Sequence, residues 1–131
     1  MQKIILLICA VLMISTVANA CSGITITGKS GKTYCLSKFA MNWYTAYAWC
    51  KDQKMELIDV GITCGSNIGG CTELALSSDE KNHIKENGGT VDWVWTNTSA
   101  SSEKSYLINL SANSISGSYT TRASRFYALC Y

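Results

Sequence analysis

Seven cysteines in 131 residues, with no proline, constrain this chain more than any other feature. Cys9 lies inside an N-terminal apolar run, and Cys21, Cys35, Cys50, Cys64, Cys71 and Cys130 follow it. Residues 1–20 carry Lys3, an unbroken apolar stretch over residues 4–14, and then Ala18-Asn19-Ala20. A positive start, a short apolar stretch and small side chains before the scissile bond form the pattern of a signal peptide, so cleavage is expected after Ala20. Eleven helical residues rise about 17 Å, short of the roughly 30 Å hydrocarbon core of a bilayer. A leader followed by six cysteines reads as a disulfide framework in an oxidising compartment, secreted, periplasmic or at the cell surface. A competing reading makes Cys21 a lipid-bearing cysteine, as in bacterial lipoproteins. Against it, Ala18 stands where a leucine is usual, and lipidation would strand one of the six thiols.

The remaining residues, 21–131, are one domain's worth of chain. Hydrophobic residues make up 47% and charged residues 15%, enough apolar side chain for a core and too little charge for disorder. Loss of Lys3 leaves 10 basic against 9 acidic residues. That balance argues against nucleic acid or a polybasic membrane contact as the main partner. No second apolar run of membrane length follows the leader, so no transmembrane segment is expected in the mature chain.

Ile24 and Ile26 alternate with Thr25 and Thr27, and a Gly-containing turn leads to Thr33-Tyr34-Cys35, so a hairpin is expected that Cys21 and Cys35 flank and can staple. Asn42 is a plausible N-cap for a helix over residues 42–53, in which Trp43, Ala46, Tyr47 and Cys50 share one face. Met55, Leu57 and Val60 have extended spacing, and residues 61–72 read as a loop closed by Cys64 and Cys71. Their C-x₆-C spacing lacks the further ligands of a zinc site and suits a disulfide. Ser77 and Glu80 stand in capping-box spacing at the start of a second helix that Gly88-Gly89 ends. His83, the sole histidine, falls on its polar surface. Residues 91–96, 106–110 and 125–131 read as strands, separated by polar loops over 97–104 and 111–124.

Five short stretches carry a resemblance. Residues 41–50, Met-Asn-Trp-Tyr-Thr-Ala-Tyr-Ala-Trp-Cys, with Glu56-Leu57-Ile58 after them, resemble the first helix of the C-type lectin-like fold and the segment leaving it. Ser77-Ser78-Asp79-Glu80 resembles the start of its second helix, and Trp93-Val94-Trp95-Thr96 and Tyr127-Ala128-Leu129-Cys130 resemble its tryptophan strand and closing strand. The stretch 95–130 is similar to compact bacterial members. The resemblance implies an α+β, disulfide-stapled domain with two helices packed on small antiparallel sheets. It also implies that Cys50 pairs with Cys130, matches Cys21–Cys35 to the N-terminal bridge of longer members, and leaves Cys64–Cys71 as a local pair. Sequence alone permits fifteen pairings of six cysteines.

The chain also departs from the family. It lacks proline and the Trp-Asn-Asp motif of the calcium-dependent sugar binders, and its two polar loops hold a single carboxylate, Glu103. Calcium needs six to eight oxygens, several of them usually carboxylates, so no metal site and no cofactor are expected. His83 has no recognisable Ser or Asp partner motif and a disulfide framework needs all six mature cysteines, so no catalytic residue and no enzyme activity is expected. The expected function is a calcium-independent lectin-like binding or adhesion domain for a glycan or protein surface. The alternatives are a structural or assembly component of a cell envelope or extracellular layer and, more remotely, an enzyme. The family presents its ligands on the loops beyond the tryptophan strand. There the candidate ligand-binding residues are Asn97, Ser99, Tyr106, Tyr119, Arg122 and Arg125. Tyrosine and arginine are enriched at binding hot spots, and serine and asparagine supply adaptable hydrogen bonds.

Overall fold

Strand β1 (Ile24–Thr27) pairs antiparallel with β2 (Thr33–Leu36), aligning Ile24 with Leu36 and Ile26 with Tyr34. The isoleucines are buried and the threonines exposed, as alternation on a sheet with one solvated face requires. Gly31 carries the turn at φ 89°, a region where a side chain would be strained. The structure is a computed structural model and describes residues 21–65, 71–112 and 118–131.

Helix α1 (Trp43–Asp52) begins where Asn42 Oδ1 accepts the Thr45 N–H at 2.9 Å. It stops in a left-handed residue, Lys54 at φ 63°. There Lys54 N–H donates to the Lys51 carbonyl and Met55 N–H to the Cys50 carbonyl, the paired bonds of a Schellman cap. The chain is extended only as far as Leu57, which bridges Cys130. A short helix, α2 (Val60–Cys64), then replaces the extended segment and loop expected there. Its cause is Asp59, whose carboxylate accepts the Ile62 N–H at 2.8 Å and caps a turn too short to show periodicity. The described residues therefore hold three α-helices where two were expected. A 3₁₀ turn at Thr72–Leu74 leads to α3 (Ser78–Glu86), capped by Ser77 Oγ on the Glu80 N–H at 3.2 Å. The expected reciprocal bond from Glu80 is not made, and its Oε2 is buried without a partner. Gly88, at φ 83°, ends α3, and a Cβ on the next residue, Gly89, would collide with Ile24 and Ile84.

The second sheet holds β3 (Trp93–Ser101), β4 (Lys104–Asn109) and β5 (Tyr119–Thr121) in that order. The stretch 97–104, expected as a loop, is mostly strand: β3 runs on to Ser101 and β4 resumes at Lys104. Threonine and small side chains suit a strand that is polar on both faces, and the register shifts between Trp95 and Ser99 show how weakly such a pattern fixes pairing. Residues 113–117 of the other expected loop lie outside the described residues. The expected last strand contracts to β6 (Leu129–Cys130), which joins the first sheet in the order β1-β2-β6.

Residues 126–130 tie these parts together. Phe126 bridges Met41 before α1, Tyr127 runs parallel to Val94 of the second sheet, and Cys130 lies opposite Cys35 in the first. One core gathers Ile24, Ile26, Leu36, Ile84, Ile108 and Leu129; the other gathers Ala46, Cys50, Trp95, Leu107 and Cys130. Trp95 is fully buried, and its Nε1–H donates to the Met41 carbonyl at 2.8 Å. Disulfides join Cys21 to Cys35, Cys50 to Cys130 and Cys64 to Cys71. No described helix is long and apolar enough to cross a membrane.

Glu73 anchors the β1–β2 turn. Its carboxylate accepts from the Ser30 N–H at 2.8 Å, the Ser30 hydroxyl, and the Tyr34 hydroxyl at 2.7 Å, while its carbonyl accepts the Lys29 N–H. Burial pushes the carboxyl pKa up, but these hydrogen bonds together with the nearby Lys32 charge outweigh it and hold it below the usual range. Burial, then Glu73, pushes the Tyr34 phenol pKa well up, so its proton stays available to donate.

Two outcomes are expected. Removing Cys50–Cys130, which spans 80 residues, by Cys50→Ala with Cys130→Ala costs about 4.5 kcal/mol on the chain-entropy model, read by denaturant unfolding. A loss below about 1 kcal/mol would show that the bridge does not constrain the unfolded chain. Because the folded Glu73 pKa is depressed, its contribution is present at neutral pH and is lost as pH falls through its folded value. The stability gap between the native protein and Glu73→Gln is therefore largest near neutrality and closes below about pH 4. A gap constant from pH 7 to 3 would exclude that linkage.

Candidate functional site

The outer half of the second sheet presents two different faces. On β4, Lys104 and Tyr106 point one way and Ser105 and Leu107 the other, as strand alternation dictates. Tyr119 lies opposite Tyr106, and Thr121 opposite Lys104. The first face therefore carries Lys104, Tyr106, Tyr119 and Thr121 together. Tyr119 is 52% exposed, with Tyr106 set edge-on against it at 5.8 Å between centroids. The Lys104 ammonium sits 5.7 Å from the Tyr119 ring centroid. An aromatic ring is thus displayed to solvent on paired strands, with an ammonium and a hydroxyl beside it.

Arg122 belongs to the second face and is committed inward. Its Nε donates to Ser105 Oγ at 2.9 Å, one terminal nitrogen to Ser99 Oγ at 2.6 Å and the other to the Ser102 carbonyl at 3.3 Å. The guanidinium lies 4.2 Å from the Trp43 ring centroid, and the Arg122 carbonyl accepts the Trp43 N–H. Trp43 in turn stacks on Tyr47 at 5.3 Å and donates its Nε1–H to the Thr96 carbonyl at 2.9 Å. Arg122 therefore clamps β3, β4 and their turn to the start of α1. Ser99 and Arg122, two of the residues singled out from sequence, are each other's partners.

The others are dispersed. Tyr106 and Tyr119 form the ring pair. Asn97 is exposed, with its N–H on the Ile58 carbonyl at 2.6 Å. Arg125 donates to the Ala40 carbonyl at 2.8 Å, on the strip that links β6 to α1. Between the two faces a shallow cavity of about 170 Å³ is lined by Tyr44, Glu103, Thr121, Arg122 and Ala123. Tyr44 is 58% exposed. Neither it, Glu103, Thr121 nor Lys104 is singled out by sequence alone. The signals existed in the spacing: Lys104 stands two residues from Tyr106 on a strand, and Tyr44 lies off the apolar stripe of α1.

Among the described residues no group of three or more His, Cys, Asp or Glu side chains converges on a point where a metal ion would sit. His83 is exposed, and its Nε2 lies 3.2 Å from the Thr25 carbonyl oxygen, tying α3 to β1. Comparison with protein-family models and with curated proteins finds no match.

The two faces respond differently to truncation. Arg122→Ala removes three hydrogen bonds of a charged donor and a cation–π contact, costing about 2 kcal/mol and lowering Tm. Arg122→Lys restores little, because a single ammonium cannot span the fork. Tyr119→Ala stays within about 0.5 kcal/mol of the native protein. Equal losses at the two positions, measured by thermal and denaturant unfolding, would overturn the division.

Proposed function

We propose that the protein is an exported, calcium-independent binding domain of the C-type lectin-like type, recognising a glycan or protein surface through the outer strands of its second sheet. The observation that carries the proposal is the exposed Tyr119, held by Tyr106 and flanked by Lys104 and Thr121. A tyrosine ring offers a large apolar face at low ordering cost, and the neighbouring hydroxyl and ammonium supply directional contacts to hydroxyl or carbonyl oxygens. Because Tyr119 sits on a paired strand, little chain ordering accompanies binding. Support for the lectin-like reading comes from the element order: a hairpin, a capped helix with Cys50 in its last turn, a second long helix, a strand with buried Trp95, and a closing strand whose Cys130 bonds Cys50. Three disulfides in one small domain support export.

A second reading, an assembly component of an envelope or extracellular layer, is favoured by Phe39, which is 77% exposed between β2 and α1. A ring so placed has apolar surface to bury against another chain.

Glycan-array binding followed by calorimetry on any hit tests the proposal. Tyr119→Ala should weaken a true ligand about tenfold or more, while chelation of divalent ions leaves its affinity unchanged. Array silence combined with self-association that Phe39→Ser abolishes would replace recognition with assembly.

A further inference from the structure

On the first sheet a cleft of about 350 Å³ opens between the outer face of β1–β2 and the C-terminal turn of α1. That volume is typical of small-ligand sites. Its apolar wall is built from the Cys21–Cys35 disulfide, Met55 and the Tyr131 ring. The charged side chains that line it are Lys32 and Lys54. Neither lysine forms an ion pair among the described residues.

The acids nearby make their closest contacts outside the cleft. Glu56 is paired with Lys51 at 2.6 Å, Asp59 caps α2 through the Ile62 N–H, and Glu73, although it feels the Lys32 charge, accepts its hydrogen bonds from Ser30 and Tyr34. The Lys32 ammonium is also placed. Lys32 lies 5.0 Å from the Tyr131 ring centroid. Burial pushes the Tyr131 phenol pKa up, with Asp59 and Glu56 adding to it, so the ring remains neutral beside Lys32. Lys54 occupies the left-handed position that ends α1, where glycine would avoid the steric cost. The Thr25 and Thr33 side chains add hydroxyl groups on the same strand face, and neither forms a side-chain hydrogen bond among the described residues.

We propose that this cleft is an oxyanion-binding site, in which Lys32 and Lys54 grip a carboxylate or sulfate group while Met55 and Tyr131 pack against the body that carries it. A charged pair on a fixed apolar wall favours an anion with a ring-sized apolar side over either a bare ion or a neutral ligand. The site is separate from the Tyr119 face and stands whether or not that face binds a glycan.

Titration of the isotope-labelled full chain with glucuronate, sulfate and glucose, followed by amide NMR shifts, tests it. Saturable shifts with glucuronate are expected at Lys32, Thr33, Lys54 and Met55, weakened about tenfold by Lys32→Gln with Lys54→Gln. Both substitutions are on exposed side chains, and the variant's unchanged remaining spectrum confirms its fold. Glucuronate binding tighter than sulfate assigns the ligand to acidic saccharides, and equal binding assigns free oxyanions; either sustains the site. Glucose binding as tightly as glucuronate, shifts unaffected by the double substitution, or no saturation by either anion would overturn it.

Discussion

The bond between Cys50 and Cys130 is the constraint on which the rest of the architecture depends. It joins the last turn of α1 to β6, and Cys130 is also the residue opposite Cys35 and the bridge partner of Leu57. One position thus receives the helix, the hairpin and the chain leaving the helix. The residues just before it, Phe126 and Tyr127, reach the approach to α1 and the second sheet. A domain this small buries a modest fraction of its surface, so a covalent closure at the crossing point of its parts carries a large share of the stability.

From that closure the two sheets diverge in role. The first is short, disulfide-stapled and braced by Glu73, with its cleft at the end of α1. The second extends its hairpin beyond the core, and the extension would be loose without Arg122. The guanidinium supplies donors to both strands and their turn and lays its flat face on Trp43, so the polar tip is held by a cation whose partners are all internal. Tyr119 and Lys104 occupy the opposite face and owe the fold little. The separation lets one small sheet be rigid on one side and available on the other.

Much of the framework was legible in the sequence. The helix start at Asn42, the start of α3 at Ser77, the β1–β2 alternation and the tryptophan strand all follow from side chains that act on their own local backbone. What escaped reading was non-local or too short. Asp59 starts a helix of only five residues, below the length at which periodicity registers. The run 97–104 looks like a loop because it is polar throughout; its pairing depends on β4 and on Arg122 from twenty residues away, which no local pattern encodes. Arg122 itself was singled out for chemistry that suits ligands, and the same five-donor fork serves equally well to hold the protein's own serines and carbonyl. Composition distinguishes neither use.

The Arg122 clamp also shapes how this surface can diversify. A combinatorial library built on the outer strands would accept replacements at 104 and 119 readily, since these side chains make only exposed ring contacts with each other and with Tyr106. Positions 99, 105 and 122 would survive only in compatible combinations, because any single change leaves a guanidinium or a hydroxyl without its mate. New specificities would therefore accumulate on one side of the sheet while the other drifts, if at all, by coordinated steps.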